Sequence, residues 1–235
     1  MSLTYTTFVD QIANLMAVSS TTADFQTMLP GLIDYAEQRA YRDLDLLSTI
    51  VKDASATLTT NNRNFTLPTA SGRFVTVQGV NVVTPVSTAP DSGIRNELLP
   101  ISRDYLDAVW NSVSGATVPV YFAMMTDQTL IVGPWPDNSY TIEVVGTIRP
   151  APLTASNTTT FLTLYLPDLF IAAGMIFASG YMRNYGSQSD NPQMAVSWES
   201  QYNTLLASAK PEELRKRFAN IGWTSHQDAS PAAER

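Results

Sequence analysis

Cysteine is absent from the 235 residues, which removes disulfides, thiolate nucleophiles and sulfur-ligated metals from consideration. Histidine occurs once, as His226, so no His-based catalytic triad and no His-rich metal site can be assembled. Charge is scarce as well: 15% of the residues are Asp, Glu, Lys or Arg, against roughly 25% in an ordinary soluble domain. Thr, Ser, Asn, Tyr and Ala fill much of the gap. A polar but weakly charged surface is easier to desolvate against a partner, because burying charge is costly unless it is paired. That points to a protein that works inside an assembly. The formal net charge of −7 makes a field that repels nucleic acid, although passage of DNA through a polar lumen needs no affinity. No phosphate-cradling glycine motif occurs, since "GMIFASG" falls within a helical pattern and has no lysine. Long apolar runs are missing too. The best segment, "LPDLFIAAGMIFASGYM", falls short of the ~20 residues of a membrane span and reads as a buried helix. The opening "MSLTYTTFVDQIANLM" lacks a basic stretch followed by an apolar run, so no secretory signal is expected.

What is present is enough apolar material, 44% of the chain, to bury a real core in one large domain or two smaller ones. Tyr5, Phe8, Val9, Ile12, Leu15 and Met16 recur at three- and four-residue spacing and predict a first helix. After the capping-prone "SSTTAD", a second helix is predicted from about Phe25 to about Leu46, with Pro30 in its first turn or at a kink. From Ser48 to Pro150 the period changes to two, in segments such as "RFVTVQGVNVVTP" and "YTIEVVGTIRP", which predicts antiparallel strands. One short helix capped by Ser102 interrupts them, and a hairpin turns near Thr126 to Gln128. Beyond the polar linker "APLTASNTTT", helical periodicity returns from Pro167 and again from Pro192 to about Ala209. Beyond "KPEELRKRF" the segment "ANIGWTSHQDASPAAER" has no periodicity and is expected to be extended. The fold class is therefore α+β: a helical bundle from the N- and C-terminal regions, 1–47 and 160–209, an inserted antiparallel β domain, 48–152, and an extended C-terminal tail, 210–235.

Against the low charge background, "AEQRAYRDLDLL" stands out, with five charges between Glu37 and Asp45. Arg39 and Asp43 are spaced i,i+4 and Arg42 and Asp45 i,i+3, so the charges line one face beside the apolar stripe. Two readings stay open on chemistry alone: a solvated face of weak ion pairs, or an inter-subunit or inter-domain latch in which Arg binds carboxylates bidentately. Carboxylate pairs for catalysis, Asp43 with Asp45 or Asp104 with Asp107, are far more often solvated or capping groups. A second concentration, "KPEELRKRF", places Lys210, Arg215, Lys216 and Arg217 next to Phe218 and upstream of Trp223. It reads either as cations suited to a helix C-terminus or as an anchor that orients the tail on a partner, with Trp223 as an aromatic plug.

Several of these pieces in order resemble the head-to-tail adaptor, or connector, proteins of tailed bacteriophages. "LPGLIDYAEQRAYRDLDLL" looks like their second-helix signature. "PVYFAMMTDQTLIVGPWPDNSYTIEVVGTIRPAPLT" is similar to their strand, hairpin, proline turn and closing strand. "FLTLYLPDLFIAAGMIFASGYM" resembles the helix entry that follows. The resemblance covers about residues 1 to 210. It implies a non-enzymatic structural protein of the virion, at the head-tail junction, assembled in the bacterial host cytoplasm and needing no cofactor or metal. It implies a homo-oligomeric ring of twelve copies under the portal protein, joined to a tail or nozzle protein, with DNA passing through the lumen without sequence-specific binding and no membrane involved. It also implies a portal-docking tail carried here by Lys210, Arg215, Lys216, Arg217, Phe218 and Trp223. Arg39, Arg42, Asp43 and Asp45 then become a latch that fixes the β domain or the neighbouring subunit. A different class of reading is a tail or baseplate component whose β domain binds a receptor or carbohydrate through Tyr121, Phe122, Trp135 and Tyr140. A phage hydrolase would need an acid or metal site that these residues do not supply.

Overall fold

The structure, a computed structural model, describes residues 3–182 and 192–220. Among the described residues there are six helices and two four-stranded sheets, so the chain is α+β. It divides into two compact units, one drawn from Met1–Leu47 and Leu162–Arg235 and the other from Ser48–Phe161.

The helical unit begins with α1, Tyr5–Leu15, capped by Thr4, whose hydroxyl accepts from the Thr7 N–H while Thr7 bonds back to Thr4. This reciprocal cap satisfies donors that the first turn would otherwise leave bare. Helix α2, Ala23–Asp43, carries Pro30 in its interior rather than in its first turn and still continues for three more turns and beyond. Its buried stripe of Phe25, Leu29, Leu32, Ala36 and Ala40 explains why tertiary packing overrides the missing proline N–H. The short α4, Phe161–Tyr165, was not expected from the sequence. It is followed by α5, Pro167–Met182, which packs on α1, α2 and the last helix. Gly174 permits that closeness: a β-carbon there would stand 3.1 Å from Leu32 and 3.4 Å from both Ile12 and Phe8. Phe8 and Phe170 stack at 4.5 Å between ring centres in the same core.

Helix α6 runs Pro192–Asn220. The expectation of an extended segment from Lys210 is corrected here for residues 210–220, which are helical straight through Pro211. The reason lies in the burial pattern. Tyr202, Leu206, Ala209 and Glu213 are all buried at helical spacing, so the packed face carries on past the proline. The remainder of the expected tail, residues 221–235 with Trp223 and His226, lies outside the described residues.

The second unit contains β1 (Ile50–Thr57), β2 (Asn64–Thr66), β3 (Arg73–Thr84), β4 (Ile94–Glu97), β5 (Leu99–Pro100), α3 (Arg103–Val109), β6 (Tyr121–Met124), β7 (Thr129–Gly133) and β8 (Thr141–Arg149). Strand order is β1-β8-β3-β4 in one sheet and β2-β7-β6-β5 in the other. The pairing is antiparallel except for β5 on β6, which is parallel, a correction to the expected all-antiparallel region. Val80, Val82, Ile142 and Val144 of the first sheet share one apolar core with Phe65, Phe122, Leu130 and Val132 of the second, the inward face of each strand that a period of two dictates. On the other face of β8, Glu143 is 1% exposed and is held by Asn81, Arg95 and Lys52. Burial alone would raise its pKa, but those partners keep it below the ordinary glutamate range. Ser102 caps α3 by accepting from the Tyr105 N–H, as its sequence position predicts.

Candidate functional site

The charged end of α2 meets the last helix of the same chain. Arg39 sits on the helical face next to the buried stripe and projects towards α6, where it makes a bidentate pair with Glu199, 2.9 Å from Nη1 to Oε2 and 2.5 Å from Nη2 to Oε1. Its guanidinium lies over the Tyr202 ring, 4.3 Å from the ring centre, and Nη1 also donates to Tyr35 Oη at 3.1 Å. The Tyr202 hydroxyl donates to Asp43 Oδ2 at 2.8 Å, and Asp43 lies 3.7 Å from Arg39 Nε. Arg39, Tyr202 and Asp43 thus close a loop of contacts between two helices, and Glu199 joins it through Arg39. The planar fork of arginine is what allows pairing at its edge and stacking on its face at once, which lysine cannot do.

Electrostatics follow from the geometry. The hydrogen bonds to Glu199 push the Arg39 pKa up, opposed by its partial burial. The same bonds hold the Glu199 carboxyl below its usual range. Burial pushes the Tyr202 phenol well up, and its bond to the Asp43 carboxylate pushes in the same direction. These shifts favour the charged guanidinium of Arg39, the ionised carboxylate of Glu199 and the neutral phenol of Tyr202 at neutral pH. That suits a structural joint and not a proton-transfer site.

A second set of contacts follows one turn beyond Asp43. Glu213, buried on α6, accepts from the Leu47 backbone N–H at 3.2 Å and from Lys216 Nζ at 2.6 Å. Lys216 also reaches Glu212 at 2.9 Å, and Glu213 then Glu212 raise its pKa. Arg217 pairs with the Asp45 carboxylate at 2.5 Å and donates to the Asp45 carbonyl at 3.2 Å. Of the residues singled out in the sequence, Arg39, Asp43 and Asp45 are thus brought to α6, and their partners there belong to the helical unit. Arg42 donates to the Gln38 carbonyl of its own helix.

The basic cluster divides in two. Lys216 and Arg217 are used in the contacts above, whereas Lys210, Arg215 and Phe218 are exposed on α6. Sequence reasoning missed Glu199 and Glu213 and saw Tyr202 only as part of an apolar stripe. Glu199 precedes Tyr202 by less than one turn, so its facing was readable, but a pairing 160 residues away from Arg39 was not.

The aromatics that suggested a receptor-binding face are engaged inside the β unit. Phe122 and Tyr140 belong to the shared core, Trp135 donates its indole N–H to the Trp110 carbonyl at 2.8 Å, and Tyr121 stacks on Trp110 at 5.6 Å. Among the described residues, no group of three or more His, Asp or Glu side chains is placed to hold a metal ion. No helix among them is long and apolar enough to cross a membrane.

The sequence profile of the SU10 adaptor protein family matches residues 3–226, nearly the whole chain. The chain belongs to the SU10 adaptor protein family. A search of the curated proteins found no match. Membership in the SU10 adaptor family implies a bacteriophage adaptor, a structural component of the virion. The contacts of Arg39 with Glu199 and Tyr202, and of Tyr202 with Asp43, tie α2 to α6 within the helical unit of this adaptor.

Proposed function

We propose that the protein is the head-to-tail adaptor of its phage: a ring of twelve copies seated under the portal protein, meeting the tail or nozzle protein on its other side and extending the DNA channel. The match to the SU10 adaptor family across residues 3–226 carries this reading. Two physical features support it. A surface with few charges is inexpensive to bury between subunits, and the α2–α6 joint gives each copy a rigid helical unit, which lowers the ordering cost of assembly. DNA would pass through the lumen without base-specific contact, in agreement with the acidic balance of the chain.

Portal docking is assigned to the segment that includes Trp223, beyond Asn220. Lys216 and Arg217, expected to take part, already serve Glu213 and Asp45. The test is co-sedimentation with portal particles from the same genome, using the full chain and a chain that stops after Asn220. Saturable binding near one copy per portal subunit, weakened by the truncation, is the expected result. A demonstrably folded full chain that does not bind would contradict the adaptor role.

A further inference from the structure

An open groove of about 670 Å³ lies between α2 and α5, lined chiefly by Asp24, Thr27, Met28, Tyr35, Ile176 and Phe177. Its wall is the Tyr35–Phe177 ring pair, 5.4 Å between centres. Asp24 lines the groove itself, and Asp34 is exposed on the same helix, one turn after Gly31, whose Cβ position faces Phe177. The polar side chains lining the groove are few, Asp24, Thr27 and Tyr35.

At the far end of α6 is a surface of the opposite kind. Leu214 and Phe218 are exposed, 55% and 70%, one turn apart on one face. Lys210 and Arg215 lie beside them, exposed as well. The same chain cannot bring the two together. Arg217 is tied to Asp45, past the end of α2, while the groove lies towards its start, and the helix rises about 24 Å between Thr27 and Asp43.

We propose that the α6 end of one copy seats Leu214 and Phe218 in the α2–α5 groove of the next copy, with Lys210 and Arg215 facing Asp24 and Asp34. The charges are complementary, two cations to two carboxylates, and each surface is apolar at its centre with charge at its margin, the pattern of a specific interface. Because the two surfaces differ, the contact is heterologous and repeats head to tail, which generates a closed ring when the rotation allows. This inference rests on the ring reading above and adds the surfaces that make it.

The lack of cysteine gives a clean test. Chains carrying both Thr27→Cys and Arg215→Cys, oxidised alone and on portal particles, should give a ladder of covalent oligomers. Each single variant should give none, and an equal mixture of the two should give a dimer. Adding Phe218→Asp should abolish the ladder and weaken self-association roughly tenfold or more, with the circular dichroism spectrum unchanged. Rings of native mass without a ladder would overturn these surfaces and leave the ring standing. A homodimer from either single variant would show a two-fold contact instead and overturn them too. Chains that stay monomeric even on portal particles would overturn both this inference and the ring.

Discussion

At the scale of single residues, Arg39 does the most because it acts through both its edge and its face. Arg39→Ala leaves Glu199 and Asp43 without the cation they share and uncovers the Tyr202 ring. The expected loss is about 1–3 kcal/mol in denaturant unfolding, kept modest because Glu199 is partly solvated. Arg39→Lys keeps the charge yet should recover only a part of that loss, since neither the fork nor the stacking survives. The pH dependence has a definite sign. Glu199 has a folded pKa below its unfolded value of about 4.3, so its pairing stabilises the protein above that pH and is lost as pH falls through the depressed value. Below about pH 4.3, the wild type should therefore lose stability more steeply than Glu199→Gln, and the two should converge at lower pH; parallel curves across that window would mean that the pair contributes nothing. The sequence made Arg39 and Asp43 legible as candidates, because five charges in a weakly charged chain are conspicuous. Their partners were not legible, since a contact between residues 39 and 199 depends on how two helices pack and leaves no local spacing signal.

At the scale of elements, α6 is the informative case. Pro211 ordinarily ends or kinks a helix, yet α6 runs through it, past Lys210, where the extended tail was expected to begin. The apolar and buried spacing of Tyr202, Leu206, Ala209 and Glu213 was the competing signal, and packing won. A chain that stops after Ala209 should thus be destabilised by about 2 kcal/mol or more, because the Glu213 acceptor for the Leu47 N–H and the Arg217–Asp45 pair are both lost. A chain that stops after Asn220 should keep the midpoint of the full protein. Equal midpoints for both truncations would show that the second half of α6 is not part of the folded unit. Within it, Glu213→Leu should cost about 1–3 kcal/mol by leaving the Leu47 N–H without its acceptor, and Glu213→Gln, whose amide oxygen can still accept, should cost less. The strands fared better: period-two segments with turn residues between them marked the β unit clearly. The parallel β5–β6 pairing escaped notice because β5 is only two residues long, too short for any period to show.

At the scale of the whole molecule, what could be read was the scarcity of charge, which pointed to a protein that works inside an assembly, and the order of segments, whose resemblance to the head-to-tail adaptors pointed to that family. What could not be read was which surfaces meet, because an interface needs exposure, and exposure appears only once α2, α5 and α6 have packed. The groove between α2 and α5 and the exposed end of α6 are products of that packing. The most direct test of the adaptor ring is the native mass of portal particles saturated with this protein. The account predicts a discrete increase of twelve chains per portal ring, and the increase should persist when Tyr121 and Trp135 are replaced in the β unit by residues that preserve its fold. No stable added mass from a folded chain, or a saturating increase of only one or a few copies, would contradict it.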